Sequence, residues 1–120
     1  MLHLSAYQRY FLYPGDTNMR KSFDSLSGMV SSLMKHNVLS GDIFIFVNRR
    51  RNHIKLLHWE GDGFALYHKR LEKGTYELPV SNPATSSVTL SYSALLLMLQ
   101  GITLTSVTRR KRYHHNPASV

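Results

Sequence analysis

Cysteine is absent from this 120-residue sequence, and no apolar run is long enough to cross a membrane. Without cysteine the chain has no disulfide framework, no thiolate zinc site and no cysteine nucleophile. A transmembrane helix needs roughly 20 apolar residues, and the N-terminus lacks the basic start and apolar core of a signal peptide. We therefore predict one small cytoplasmic domain that does not enter a membrane.

Acidic residues are also scarce, since seven aspartates and glutamates face fifteen lysines and arginines. The net charge is +8 with neutral histidines. Glu77 is the last acidic residue, and the four later cations are consecutive, from Arg109 to Arg112. Such a surplus favours a polyanionic partner, because each phosphate that is neutralised releases counterions. Nucleic acid is one candidate partner, and a solvated surface with a disordered basic tail is the alternative.

The first third of the chain has the pattern of a strand followed by a helix. Tyr7–Tyr13 is rich in aromatic residues, as is typical of a strand. Apolar residues then recur at spacings of three and four from Met19 to Leu33, which predicts a helix with one buried face. Thr17 or Asn18 is suited to cap this helix, and His36-Asn37 to end it.

The rest of the chain begins with short strands separated by turns. Asn48–Asn52 forms a hairpin tip with three arginines, and Glu60–Gly63 forms a tight turn whose glycines supply positive φ angles. A polar loop then leads to a strongly apolar helix, for which Ser91 is the cap. We predict an α+β fold, in which a small antiparallel sheet (a three-stranded meander plus short flanking strands) packs with two helices. The elements after the first helix are the strands Ile43–Val47, Ile54–Trp59, Phe64–His68 and Thr75–Leu78 and the helix Tyr92–Gln100.

Signals of enzymatic chemistry are weak. Asp62 lies in the Glu60–Gly63 turn without a second carboxylate at the spacing of a catalytic pair. The seven histidines show no zinc-ligand spacing, although a meander would let His58 and His68 face each other. No phosphate-binding loop, dinucleotide fingerprint or nucleophile elbow occurs. We predict a protein without catalytic residues, metal or cofactor.

Four segments together resemble one protein family. They are Met19–Leu26, Gly41–Val47, Lys55–Phe64 and Tyr67–Gly74. In this order and at these spacings they resemble the TnpB accessory proteins, also called Orf2-like proteins, of the bacterial insertion sequences of class sixty-six. The resemblance covers about residues 1–104.

The resemblance implies a single accessory-protein domain over residues 1–104 that works beside a separate DDE-type transposase. The catalytic carboxylates would belong to that transposase, and this chain would assist mobility of the element. The sequence departs from the family pattern at Asn18, where an aspartate is common, and at Ser22 and Ser25, where glycines are common. Residues 105–120 lie outside the resemblance and are expected to form a basic, disordered tail.

The cations of the body indicate where DNA from the transposon ends would bind. In a meander the hairpin tip and the end of the third strand lie at the same end, so their cations are expected to share one surface. Two further cations at the start of the first helix would meet a phosphate or pair with Asp24. Phosphate contacts from such groups position a protein on DNA. The predicted DNA-binding residues are Arg49, Arg50, Arg51, Lys55, Lys69, Arg70, Arg20 and Lys21.

Other functions stay open beside DNA binding. A protein-interaction module would bind the transposase without touching DNA, because Leu95–Leu99 carries more apolar surface than one small core buries. That surface would also suit a second copy of the chain, or a position between the sheet and the C-terminal segment. An enzyme is the least favoured alternative.

Overall fold

The computed structural model describes residues 3–82 and 84–100, which form one five-stranded sheet with a helix on each face. The sheet is mixed rather than purely antiparallel, and two further strands extend the predicted three-stranded meander on one side. In chain order the elements are β1 (Tyr10–Asp16), α1 (Phe23–Ser32), β2 (Ile43–Val47), β3 (His53–Trp59), β4 (Phe64–Arg70), β5 (Val88–Leu90) and α2 (Tyr92–Gln100).

The strand order β4-β3-β2-β1-β5 combines a meander with a βαβ unit. β2, β3 and β4 pair in antiparallel fashion, which confirms the predicted meander. β1 pairs with β2 in parallel, because α1 carries the chain back across the sheet between them. β5 then pairs antiparallel with β1. The predicted α+β class is confirmed, and the parallel β1–β2 pair is the feature that the sequence analysis did not contain.

Both faces of the sheet are covered by apolar side chains, and α1 and α2 each bury one of these faces. All five residues of β2 are buried, as expected for a central strand between two layers. On the face that α1 covers, the α1 face, the core is Phe11, Leu26, Met29, Val30, Met34, Phe44, Phe46 and Leu57. On the opposite face, the α2 face, it is Tyr10, Leu12, Ile43, Ile45, Val47, Ile54, Leu56, Leu71, Tyr76, Leu90, Leu95 and Met98.

The first helix begins later than predicted. Thr17 and Asn18 do not cap it, because the backbone N–H of Thr17 donates to the carbonyl of Val47 and so continues the β1–β2 pairing. The cap is Ser22, whose backbone N–H donates to the Oγ of Ser25 at 3.2 Å. The side chain of Ser25 therefore stabilises the helix start. Residues 17–21 form a loop, and the cations within it precede the helix.

At the edge of the sheet one predicted strand is absent and one observed strand was not predicted. Thr75–Leu78 is not a strand, because the backbone N–H of Tyr76 donates to the carbonyl of Arg51, at the hairpin tip. The place beside β1 is taken by Val88–Leu90, which was not predicted as a strand. β1 also runs on through Pro14 and Gly15, with an irregularity in its pairing to β2 between Leu12 and Asp16.

The second helix has the predicted bounds and cap, since the N–H of Ala94 donates to the Oγ of Ser91 at 3.1 Å. Leu95 and Met98 are buried in the α2-face core, whereas Leu96 and Leu97 are half-buried. None of the helices in residues 3–82 and 84–100 is long and apolar enough to span a membrane. The predicted tail 105–120, with its cluster Arg109–Arg112, lies outside the described residues.

Candidate functional site

Most of the predicted DNA-binding residues lie at one end of the sheet, which we call the basic end. It consists of the loop 17–22 after β1, the turn 48–52 after β2 and the last residues of β4. The loop and the turn are neighbours because β1 and β2 are parallel and adjacent. The end of β4 joins them because Arg70 pairs with His53 at the start of β3. The meander thus brings the hairpin tip and the end of β4 together, as the sequence analysis expected.

The turn that carries the three arginines is held by the side chain of Asn48. Its Oδ1 accepts the N–H of Asn52 at 3.0 Å and that of His53 at 2.9 Å, and its Nδ2 donates to the Oδ1 of Asn52 at 2.8 Å. Arg51 adopts a left-handed backbone with φ of 59°. All three arginines are exposed, and within the described ranges none of them forms an ion pair.

The arginines nevertheless face two different cavities. Arg49 and Arg50 line an open cleft of about 550 Å³ on the side of the β1–α1 loop. Arg51 lines a separate cavity of about 300 Å³ with Pro14 and residues 78–81. We call the first of these two cavities the cleft. Its other lining residues are Asp16, Thr17, Asn18, Met19, Asn48 and His53.

Lys55 is buried inside the protein instead of lying on the predicted DNA-binding surface. It is 6% exposed, and its Nζ donates to the carbonyls of Met19 at 2.9 Å and Lys21 at 2.7 Å. Burial lowers the pKa of this lysine below its ordinary value. Lys55 therefore holds the loop 17–22 in place, and that loop carries the more accessible Arg20 and Lys21 to the basic end.

Lys69 and Arg70 lie on opposite faces of β4, because successive strand residues alternate. Lys69 pairs with Ile54, a residue of the α2-face core, whereas Arg70 pairs with His53 and lies on the α1 face. The Nη2 of Arg70 also contacts the Oε1 of Glu72 at 2.9 Å, in an exposed ion pair. The structure thus separates Lys69 from the cations on the α1 face and partly neutralises Arg70. Arg20 and Lys21 form no ion pair with Asp24 in the described parts of the chain.

A histidine pair lies beside Lys55 on the α1 face. The Nδ1 of His53 and the Nε2 of His68 are 2.9 Å apart. His58 was expected to face His68, but it lies opposite Ala65 and on the other face of the sheet. No group of three histidine, aspartate or glutamate side chains in the described ranges is arranged to hold a metal ion.

We expect His68 to make the fold less stable in acid. Burial, followed by the charges of Lys55, His53 and Arg70, holds the pKa of His68 below its ordinary value of 6.5. The unfolded chain therefore binds more protons between the two pKa values, and the free energy of unfolding falls as the pH drops through that interval. Urea denaturation at a series of pH values should show this loss in the native sequence and a smaller loss in His68→Gln. His3→Gln, a change at an exposed histidine, is the control, and identical profiles for all three proteins would contradict the expectation.

Residues 8–109 match the protein family described as IS66 Orf2 like protein. The uncharacterized protein y4hO of Sinorhizobium fredii is 32% identical over 94 residues, covering 78% of this chain and 80% of that protein. The uncharacterized protein y4jC of the same organism is 27% identical over 93 residues, covering 78% of each. No solved structure matches the chain.

Proposed function

Because the chain belongs to the IS66 Orf2-like family, we propose that it is a non-catalytic accessory protein for the transposition of an insertion sequence. We further propose that it binds the DNA of the element through the basic end of its sheet and acts beside the separate transposase.

The observation that carries the DNA-binding proposal is the meeting of two cationic loops at the basic end. Arg20 and Lys21 reach it from β1, and Arg49 and Arg50 reach it from β2. No ion pair within residues 3–82 and 84–100 neutralises these four side chains. Several unpaired cations on neighbouring loops can contact successive phosphates of a DNA backbone, which positions the protein without reading its sequence.

The proposal is tested by fluorescence anisotropy with duplexes that carry the ends of the element or a scrambled sequence. We expect the double variant R49A/R50A to lose about tenfold or more in affinity for both duplexes. The single variant R50A should lower the salt slope by about one, because one phosphate contact is lost. Lys35→Ala is the charge-matched control for R50A, since Lys35 is exposed and lies after α1, at the opposite end of β2.

Other outcomes would assign the function differently. Tighter binding of the duplex with the element's ends than of the scrambled duplex would mean that the chain also contacts bases, beyond the proposed backbone contacts. If R49A/R50A binds as the native protein does while R109A/R110A does not, the contact lies in the C-terminal segment. If no duplex binds at low salt but the transposase does, the chain is a protein-interaction module.

A further inference from the structure

The cleft at the basic end lies where sheet topology itself places ligand sites. It is formed by Asp16–Met19, at the end of β1 and just beyond it, and by Asn48–Arg50, directly after β2. β1 and β2 are adjacent and parallel, so both segments leave the sheet at the carboxyl ends of their strands. In open α/β sheets ligands bind in crevices outside the carboxyl ends of parallel strands. Here the connection after β1 leads to α1 and the one after β2 forms a hairpin, and the cleft lies between these two connections.

The polar groups around the cleft are suited to a nucleotide. Arg49 and Arg50 supply guanidinium groups for a phosphate, and the imidazole of His53 adds a further polar group. The lining residue with a carboxylate is Asp16, which repels phosphate but accepts hydrogen bonds from a sugar hydroxyl or a base amine. Opposite charges in one cleft thus give a bound nucleotide a preferred direction, with its phosphate toward the arginines. Met19 supplies apolar surface beside them.

The size and shape of the cleft favour a nucleotide that is part of a strand. Its volume of about 550 Å³ falls in the range of about 300–1,000 Å³ that is typical of small-ligand pockets. It is shallow and widely open to solvent, so it leaves much of a single nucleotide uncovered. A nucleotide within a strand compensates for the missing contacts, because the next phosphates of the strand can reach Arg20 and Lys21 on the neighbouring loop.

We propose that the cleft takes the unpaired, phosphorylated terminal nucleotide of a DNA strand. This inference rests on the proposed DNA-binding function and adds to it a preference for strand ends over continuous duplex. The phosphate lies against Arg49 and Arg50, and the nucleoside lies toward Asp16 and Met19.

The test uses the full chain and three duplexes of one sequence, whose ends are blunt, carry a short overhang, or carry the same overhang with a terminal phosphate. Anisotropy titrations should show about fivefold or tighter binding of the phosphorylated overhang than of the blunt duplex. Deoxyadenosine monophosphate should compete only weakly. Asn18→Trp fills the cleft without changing charge, and it should abolish the preference for the phosphorylated overhang. Arg51→Ala removes a cation that lines the other cavity, and it should keep the preference.

The outcomes separate this inference from the proposed function. Equal binding of all three duplexes would overturn the strand-end site and leave DNA binding in place, and this comparison uses only the native protein. Strong competition by the free nucleotide would overturn the strand-end assignment in favour of a soluble ligand. If no DNA binds, the proposed function fails, and titration with deoxyadenosine monophosphate alone then tests the cleft. Binding of this nucleotide that is lost in Asn18→Trp would support a nucleotide site in the cleft. Absence of nucleotide binding would overturn that site.

Discussion

Replacement of Lys55 by alanine is expected to lower the free energy of unfolding by about 2–4 kcal/mol. The ammonium group donates to two loop carbonyls, of Met19 and Lys21, and the variant leaves both without this donor. Burial of the ammonium group costs free energy, as its lowered pKa indicates, and this cost offsets part of the stabilisation from the two hydrogen bonds. Urea denaturation of the native and variant proteins at neutral pH measures the difference.

Two further variants separate the possible causes of this loss. Lys55→Met keeps the aliphatic volume of the side chain. Any loss of stability that it shares with Lys55→Ala is therefore due to the missing hydrogen bonds. Lys69→Ala is the matched control, because Lys69 is an exposed lysine of the adjacent strand, and its effect should stay within about 0.5 kcal/mol. Equal stability of the Lys55→Ala and Lys69→Ala proteins would show that the buried ammonium group does not hold the loop.

Replacement of Leu95 by alanine is expected to cost about 2–5 kcal/mol, which is the range for truncating a fully buried leucine. Leu95 is 0% exposed and belongs to the α2-face core. Leu97 lies on the same helix but is half-buried, so Leu97→Ala should cost about 1 kcal/mol or less. Chemical denaturation followed by circular dichroism measures both values, and losses of equal size would contradict this account of the helix.

The same pair of variants tests why α2 carries more apolar surface than one small core needs. Part of that surplus is structural, since Leu95 and Met98 fill the core between the helix and the sheet. If Leu97→Ala keeps the stability of the native protein but loses binding to the transposase, the half-buried part of the helix is an interaction surface. Unchanged binding would show that Leu97 is not part of an interaction surface.

The sequence predicted those elements whose burial is visible in local pattern. β2 has the predicted bounds because its continuous apolar run fits a strand between two layers. α2 has the predicted bounds because Ser91 is a local cap. Thr17 is a suitable helix cap by residue type. It does not cap α1, because its N–H donates to the carbonyl of Val47, thirty residues away. Partners at such distances in the chain are not contained in local propensity.

The candidate site was predictable in composition but not in arrangement. The cations of the basic end are plain in the sequence, whereas the side on which each lies depends on the register of β3 and β4. Lys55 could have been recognised as an inward residue, since it lies within a strand of apolar residues. Asp16 and His53 were missed as cleft residues because the parallel pairing of β1 with β2 gives no local signal.

The arginine turn is fixed from outside the hairpin as well as from within it. The carbonyl of Arg51 accepts the N–H of Tyr76 at 2.7 Å, and the carbonyl of Asn52 accepts that of Leu71 at 2.7 Å. The segment after β4 therefore braces the backbone of the turn before any ligand arrives. Association then restricts only side-chain rotamers, at about 0.5–1.5 kcal/mol each, and spares the larger entropy loss of ordering a flexible loop.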